Sequence, residues 1–307
     1  MTHEIDKKMK NALPTLTTVL LVVALAIATP TAHPAASPPD TTKMNLPHAP
    51  FKIYGNTWYV GTEGLSSILI TSDYGHVLID GGLPQSAPLI AANIETLGFK
   101  LTDIKAILNS HVHPDHAGGI AELQRRSGAQ VYARRPSNDV LQTGKLSRDD
   151  PQVATRSASI PKVPNVWVVH DGESLGVGGT RLQAIGTPGH TPGGTSWTWE
   201  SCDGGKCLKM VYADSLSPVS AGKFRFTVNK EYPQVLQDFE ESFAKLEKLP
   251  CDVLITPHPE VSDLFARIAQ RPADKPDAIK DDTGCKRLVQ AARERLAERV
   301  ATEKASP

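Results

Sequence analysis

Histidine, aspartate and histidine again crowd one short window of this 307-residue chain: His111-Val112-His113-Pro114-Asp115-His116, which holds three of its ten histidines. The chemistry such residues offer is metal binding. The window comes directly after a strand-like run, Ile104–Leu108 (IKAIL). In an extended segment side chains alternate, so His111 and His113 project to the same side. Asp115 and His116 are neighbours in the turn that opens a helix, and their side chains diverge. Four donors that crowded do not all fit around one tetrahedral ion. A pair of adjacent ions fits better, with His111 and His113 on one and Asp115 and His116 on the other. Gly118 and Gly119 then allow backbone or substrate to approach closely.

Positioning such a cluster needs strands that end where it begins. Thr57–Gly61 (TWYVG), Ser67–Thr71 (SILIT) and His76–Ile79 (HVLI) are separated by Gly and Asp turns and read as antiparallel hairpins. Ala87–Leu97 has helical spacing at Leu89, Ile90, Ile94 and Leu97. Ile104–Leu108 is predicted as a strand, His116–Arg126 as a helix and Gln130–Ala133 as a strand. Pro136 to Pro164 is weakly patterned and polar, which predicts a long surface loop with some helix. The second half repeats the order. Strands are predicted at Val166–Val169, Arg181–Ile185, Ser196–Trp199, Met210–Ala213 and Val253–Thr256. An amphipathic helix carries Val235, Leu236, Phe239, Phe243 and Leu246 on one face, and a final helix runs from Cys285 to about Val300. Strands and helices mixed in both halves predict two β-sheets packed face to face under outer helices, in a single domain over residues 45–300.

Composition narrows the class. Hydrophobic residues make up 40% and charged residues 21%, which excludes global disorder. The 33 Lys+Arg balance 33 Asp+Glu, without the basic excess of a nucleic-acid binder. Lys7, Lys8 and Lys10 precede the apolar run Val19–Ala28 and a Thr/Ala/Pro-rich stretch through Pro39. Residues 1–36 therefore read as a secretory signal and leader, starting at Met1 or Met9, with the cleavage point open. An uncleaved N-terminal anchor is the alternative, although the run is short for a bilayer. No second long apolar run occurs, so the mature chain is expected outside the membrane, in the periplasm. Four cysteines allow three pairings. Cys202 and Cys207 flank the turn sequence Asp203-Gly204-Gly205-Lys206, which points to a local bridge and leaves Cys251 for Cys285. Four reduced cysteines are the alternative.

The window resembles the hallmark H-x-H-x-D-H of the metallo-β-lactamase superfamily, and the resemblance spans about Tyr54 to Cys285. Val77-Leu78-Ile79-Asp80-Gly81-Gly82 is similar to the family's strand-end acid and glycines. Thr187-Pro188-Gly189-His190-Thr191-Pro192-Gly193 matches the segment carrying a further ligand, and Ile255-Thr256-Pro257-His258 the segment carrying the last. The resemblance implies an αββα sandwich, an α/β fold with two mixed sheets inside and helices outside. It implies two Zn²⁺ ions, one on His111, His113 and His190 and one on Asp115, His116 and His258. Three protein ligands per ion leave positions open for water. Asp80 would steady the site from outside the ligand set. His76 and His170 match no motif position and are read as surface or loop residues.

The branch turns on the residues immediately after Met210-Val211-Tyr212-Ala213. Thioester hydrolases of the glyoxalase II type place a metal-bridging Asp there, and one lactamase branch places a ligand cysteine. Ala213-Asp214-Ser215-Leu216-Ser217-Pro218 resembles subclass B3, in which a serine takes the position. Thr57–Thr62, Gly193–Trp199 and the Cys251/Cys285 spacing are also similar to B3 sequences, and the Cys202/Cys207 pair to some of them. The implied activity is opening of β-lactam antibiotics, with antibiotic resistance as its consequence. Zinc would acidify water from a pKa near 16 toward about 7 and so supply hydroxide at neutral pH. Asp115 would orient this nucleophile, and Ser215 and Ser217 would hold a substrate carboxylate. S-x-x-K occurs at Ser159, Ser220 and Ser242 without the S-D-N and K-T-G companions of serine lactamases. The alternatives are a thioester or lactone hydrolase, with Asp214 as a bridging ligand, and a zinc carrier without turnover. No apolar interface stripe is visible, so a monomer is expected.

Overall fold

Short apolar runs assemble into two sheets. The computed structural model describes residues 41–154 and 159–305. The predicted leader over residues 1–36 lies outside the described residues. After a short helix α1 (Thr41–Met44), one sheet takes seven strands in chain order: β1 (Phe51–Tyr54), β2 (Thr57–Tyr59), β3 (Ile68–Ile70), β4 (His76–Ile79), β5 (Ile104–Leu108), β6 (Gln130–Ala133) and β7 (Val166–Val168). Strands β1 to β4 pair antiparallel and β4 to β7 parallel. Parallel neighbours need crossovers. These are α2 (Ala87–Thr96), then α3 (Pro114–Ala117) with α4 (Ile120–Ser127), then α5 (Ser137–Thr143).

The second sheet is built from β8 (Ser174–Val177), β9 (Thr180–Gly186), β10 (Thr195–Asp203), β11 (Lys206–Tyr212) and β12 (Val253–Ile255), in the order β12-β11-β10-β9-β8. Helix α6 (Val235–Lys248) crosses from β11 to its parallel neighbour β12. Helices α7 (Leu264–Gln270) and α8 (Gly284–Ala305) complete the described chain.

Period-two alternation assigns each side chain to a layer. Ile68, Ile70, Val77, Ile79, Ala106 and Leu108 pack between the sheets against Trp197, Met210, Tyr212, Val253 and Ile255. The intervening Leu69, Leu78 and Ile107 point the other way, to α2 and α4. Val211 and Leu254 face α6 and α8. The layers are helix, sheet, sheet, helix, as expected.

The structure departs from the sequence-based expectations in four places. The helix predicted over His116–Arg126 is broken into α3 and α4 at Gly118-Gly119, where the chain crosses the Asp80–Gly82 turn. A Cβ on Gly119 would lie 2.2 Å from the Gly81 oxygen, so a side chain has no room. The polar stretch from Pro136 is not all surface. Val140, Leu141, Ile160 and Val163 enter the core, and Asp150 is buried. His76 is buried rather than superficial, its ring edge-on to Phe99. Strands β1 and β8 and helix α7 are absent from those expectations, because each is short and two of them are sheet edges with weak alternation.

Both disulfides form, Cys202–Cys207 across the β10–β11 hairpin and Cys251–Cys285 from the start of β12 to α8. The first joins residues already opposite one another in register, whereas the second closes a separation of 34 residues. Replacing Cys251 and Cys285 together by serine should lower unfolding free energy by about 3–4 kcal/mol, and the hairpin pair by about 2 or less. Urea denaturation of the two variants checks the ranking.

Candidate metal centre

Every residue singled out for chemistry sits just beyond the C-terminal end of a strand. Asp80 follows β4, and the 110–116 window follows the parallel β5. His190 follows β9, Asp214 to Ser217 follow β11 and His258 follows β12. Those three strands run in one direction, since β9 and β11 are both antiparallel to β10 and β12 is parallel to β11. Loops far apart in the chain therefore meet at one edge of the sandwich.

Two donor groups result. His111, His113 and His190 form one; Asp115, His116 and His258 form the other. In each, one potential ligand atom per residue lies within 4.8 Å of the others. The first three rings stand nearly perpendicular to one another, with centroids 4.8–4.9 Å apart and interplanar angles of 80–88°. In the second group the His116 and His258 Nε2 atoms are 3.2 Å apart, and Asp115 Oδ2 is 3.3 Å from the former and 3.6 Å from the latter. The groups adjoin, with the His111 and His116 rings 4.4 Å apart.

What aims four of the five rings is a partner on the outward nitrogen, whereas His116 Nδ1 is buried without one among the described residues. His111 Nδ1 lies 2.7 Å from Asp214 Oδ1. His113 Nε2 is 3.2 Å from both oxygens of Asp150. His190 Nδ1 donates to the Ser217 carbonyl at 2.8 Å, and His258 Nδ1 lies 3.2 Å from the Gly64 carbonyl. Outer partners of this kind set ring orientation and tautomer at metal sites. Asp80 acts one step further out. Its carboxylate accepts from the Ser110 backbone N–H (2.7 Å), Ser110 Oγ (2.6 Å) and the Tyr212 hydroxyl (2.8 Å). It touches no ligand but ties the residue before His111 to the end of β11. It does so at φ +59°, a left-handed conformation unusual for a non-glycine residue.

Most of these donors sit in the charge state a cation needs, whereas His116 is held above the usual histidine range because Asp115, Asp80 and Asp214 outweigh its burial, so a cation there must displace its proton. Burial and the surrounding imidazoles hold His111 well below the usual histidine range, and His190 at about 3. Burial would raise Asp115, but His116 and His258 beside it keep its carboxyl far below the ordinary range. Neutral imidazoles and an ionised carboxylate are the ligand forms. His111 Nε2 is buried without a hydrogen-bond partner among the described residues, which costs about 1–3 kcal/mol if nothing binds there. Five imidazoles and a carboxylate, nitrogen-rich and without thiolate, suit zinc. The residues fit the group.

Asp214 is thereby placed on the back of His111 rather than in the donor groups, which removes it as a bridging ligand. Ser215 and Ser217 are half-buried and line a crevice of about 30 Å³ beside His258, room for little more than water. The S-x-x-K serines have other work. Ser242 Oγ donates to the Pro188 carbonyl, and Ser220 Oγ donates to Phe224 O. Sequence reasoning missed Asp150 and the Ser217 carbonyl as outer partners. An Asp inside a polar stretch and a backbone oxygen carry no local signature.

A family model described as the metallo-beta-lactamase superfamily matches residues 60–204. Among solved structures, Rm3 metallo-beta-lactamase is 52% identical with a TM-score of 0.83, over 86% of this chain and 98% of that one. MEM-A1, a subclass B3 metallo-beta-lactamase from a soil metagenome library, is 46% identical with a TM-score of 0.84, over 86% and 100%. Among curated proteins, a hydroxyacylglutathione hydrolase of Rhodopseudomonas palustris (strain BisB5) is 30% identical over 191 residues, 60% of each chain. The chain thus spans about 60% of the length of that relative.

Asp150→Ala and Asp214→Ala should each weaken zinc binding at the His111/His113/His190 group by about 10–100-fold with the fold retained. Competition with a chromogenic chelator measures the loss, and an unchanged affinity would remove these carboxylates from the orienting role.

Proposed function

Because the chain belongs to the metallo-β-lactamase superfamily, we propose that it is a zinc-dependent β-lactam hydrolase of the subclass B3 kind. The observation that carries this reading over thioester hydrolysis is Asp214. The residue that would bridge two metals in the alternative lies outside both donor groups, with one carboxylate oxygen held to His111 Nδ1 at 2.7 Å, and Ser215 and Ser217 come just after it. Identity of 52% over 98% of Rm3, against 30% over 60% of the hydroxyacylglutathione hydrolase, favours the same side.

His111, His113 and His190 would hold one zinc ion and Asp115, His116 and His258 the other. When bound, the ions acidify water and polarise the lactam carbonyl. The remaining work falls to the chain. Asp115, ionised at neutral pH, offers a carboxylate oxygen to orient the attacking water. Asp214, Asp150 and the Ser217 carbonyl keep three rings aimed. Ser215 and Ser217 line the crevice beside His258, and their hydroxyls would donate to the carboxylate of a bicyclic β-lactam. Hydrolysis adds the water oxygen to the carbonyl carbon, breaks the C–N bond and leaves a proton on the ring nitrogen. No side chain is acylated. We place the mature enzyme in the periplasm as a monomer, released from the residue 1–36 leader, where it would intercept penicillins, cephalosporins and carbapenems and confer resistance.

A chromogenic cephalosporin and a glutathione thioester, offered in parallel with and without chelator, test the reading. Chelator-sensitive opening of the cephalosporin is expected, and activity confined to the thioester would overturn it. His116→Ala should lose chiefly the second zinc and lower turnover by about 100-fold or more. Metal analysis beside the rate checks both halves, and wild-type turnover in that variant would refute the ligand assignment.

A further inference from the structure

The last turns of α8 carry a buried carboxylate that touches none of the donor groups. Glu303 is only 6% exposed, in a helix end where acids ordinarily face water. Its Oε1 accepts from the Phe226 backbone N–H (3.1 Å) and Arg299 Nε (2.7 Å). Its Oε2 accepts from the Thr227 backbone N–H and hydroxyl, both at 2.9 Å. Arg299 extends the contact, with Nη2 donating to Ser220 Oγ at 2.6 Å and the guanidinium 5.4 Å from the centre of the Phe226 ring. Burial would raise the carboxyl, but Arg299 and the two backbone N–H groups hold it below the usual range. The bonds are therefore charge-assisted, the stronger kind.

What these bonds hold is the connection between β11 and α6, residues 213–234, which contains no helix or strand. Irregular segments of that length are held by specific contacts or are mobile. This one reaches the metal centre twice. At Ser217 its carbonyl accepts from His190 Nδ1 at 2.8 Å. At Ala221 its N–H donates to the Pro151 carbonyl at 2.9 Å, next to Asp150, which faces His113. Ser220, the residue gripped by Arg299, lies between those two points.

We propose that Glu303 and Arg299 are positioning residues: a latch on the C-terminal helix that sets the 217–227 segment and thereby aims His190, and through Pro151 and Asp150, His113. The proposal rests on reading those two histidines as ligands of one zinc ion. A purely structural role would lower global stability and leave zinc affinity of the folded protein unchanged.

Glu303→Gln keeps the shape, removes the charge and turns an amide N–H₂ toward donors. Glu298→Gln, on the exposed face of the same helix, is the control. Two measurements on the full chain decide: amide hydrogen exchange across 217–227 and zinc affinity by chelator competition. In Glu303→Gln, exchange over 217–227 should rise about tenfold while β5 and β11 stay protected. Zinc affinity should fall about fivefold, with Glu298→Gln matching wild type. Unchanged protection of the segment would overturn the latch. Lost protection with zinc affinity within about twofold of wild type would overturn its link to the metal centre. Should Glu303→Gln fail to fold, Arg299→Gln, which leaves Glu303 bonded to Phe226 and Thr227 but frees Ser220, is judged by the same two criteria. A wild-type chain inactive on β-lactams would overturn the proposed function and leave this comparison intact, since neither readout needs turnover.

Discussion

An imidazole holds a cation only when it is neutral, aimed, and free of any other partner on the inward nitrogen. A protein interior satisfies the first condition by burial but works against the other two, because buried polar atoms are driven to find partners. Here the outward nitrogen of each ring of the first donor group has a fixed partner, while the inward Nε2 of His111 has none among the described residues and the inward Nδ1 of His113 has only the Gln152 amide at 3.4 Å. Asp214, Asp150 and the Ser217 carbonyl take the outward nitrogens of His111, His113 and His190. The rest of the edge is arranged around those outward contacts.

The αββα scaffold makes this possible through strand direction. Loops at the C-terminal ends of co-directed strands gather at one edge, and the inter-sheet core of Trp197, Tyr212 and their neighbours holds the two edges in register. Trp197 takes part directly, donating its indole N–H to the Asn109 carbonyl at 3.1 Å. Asp80 joins β4, the pre-ligand residue Ser110 and Tyr212 of the opposite sheet in one buried knot. Its left-handed backbone is a local strain of about 1–3 kcal/mol that surrounding bonds maintain. The glycines around it serve the same end, since Gly81 and Gly119 approach closer than any Cβ would permit.

Much of the layered architecture was legible because it is encoded with period two. Residues 68–70, 77–79 and 106–108 alternate between inner and outer layers as their sequence alternation requires. The helix predicted across His116–Arg126 was wrong at Gly118-Gly119 because periodicity does not register a backbone crossing from another loop. His76 and Asp150 were misplaced for a related reason. Polar side chains in short or weakly patterned segments look exposed, and only their partners, Phe99 for one and His113 for the other, reveal the burial.

The chain's local order dictated the type and spacing of the metal-binding window, the glycines just after it, the layer each apolar residue occupies and the hairpin that joins Cys202 to Cys207. Those features depend on neighbours a few positions apart, where covalent geometry alone restricts the outcome. The outward partners of the histidines, the placement of Asp214 behind His111 and the grip of Glu303 on a segment more than 70 residues earlier belong to the folded state. They join atoms brought together by packing, and no spacing along the chain encodes a hydrogen bond whose two ends are set by different layers of the core.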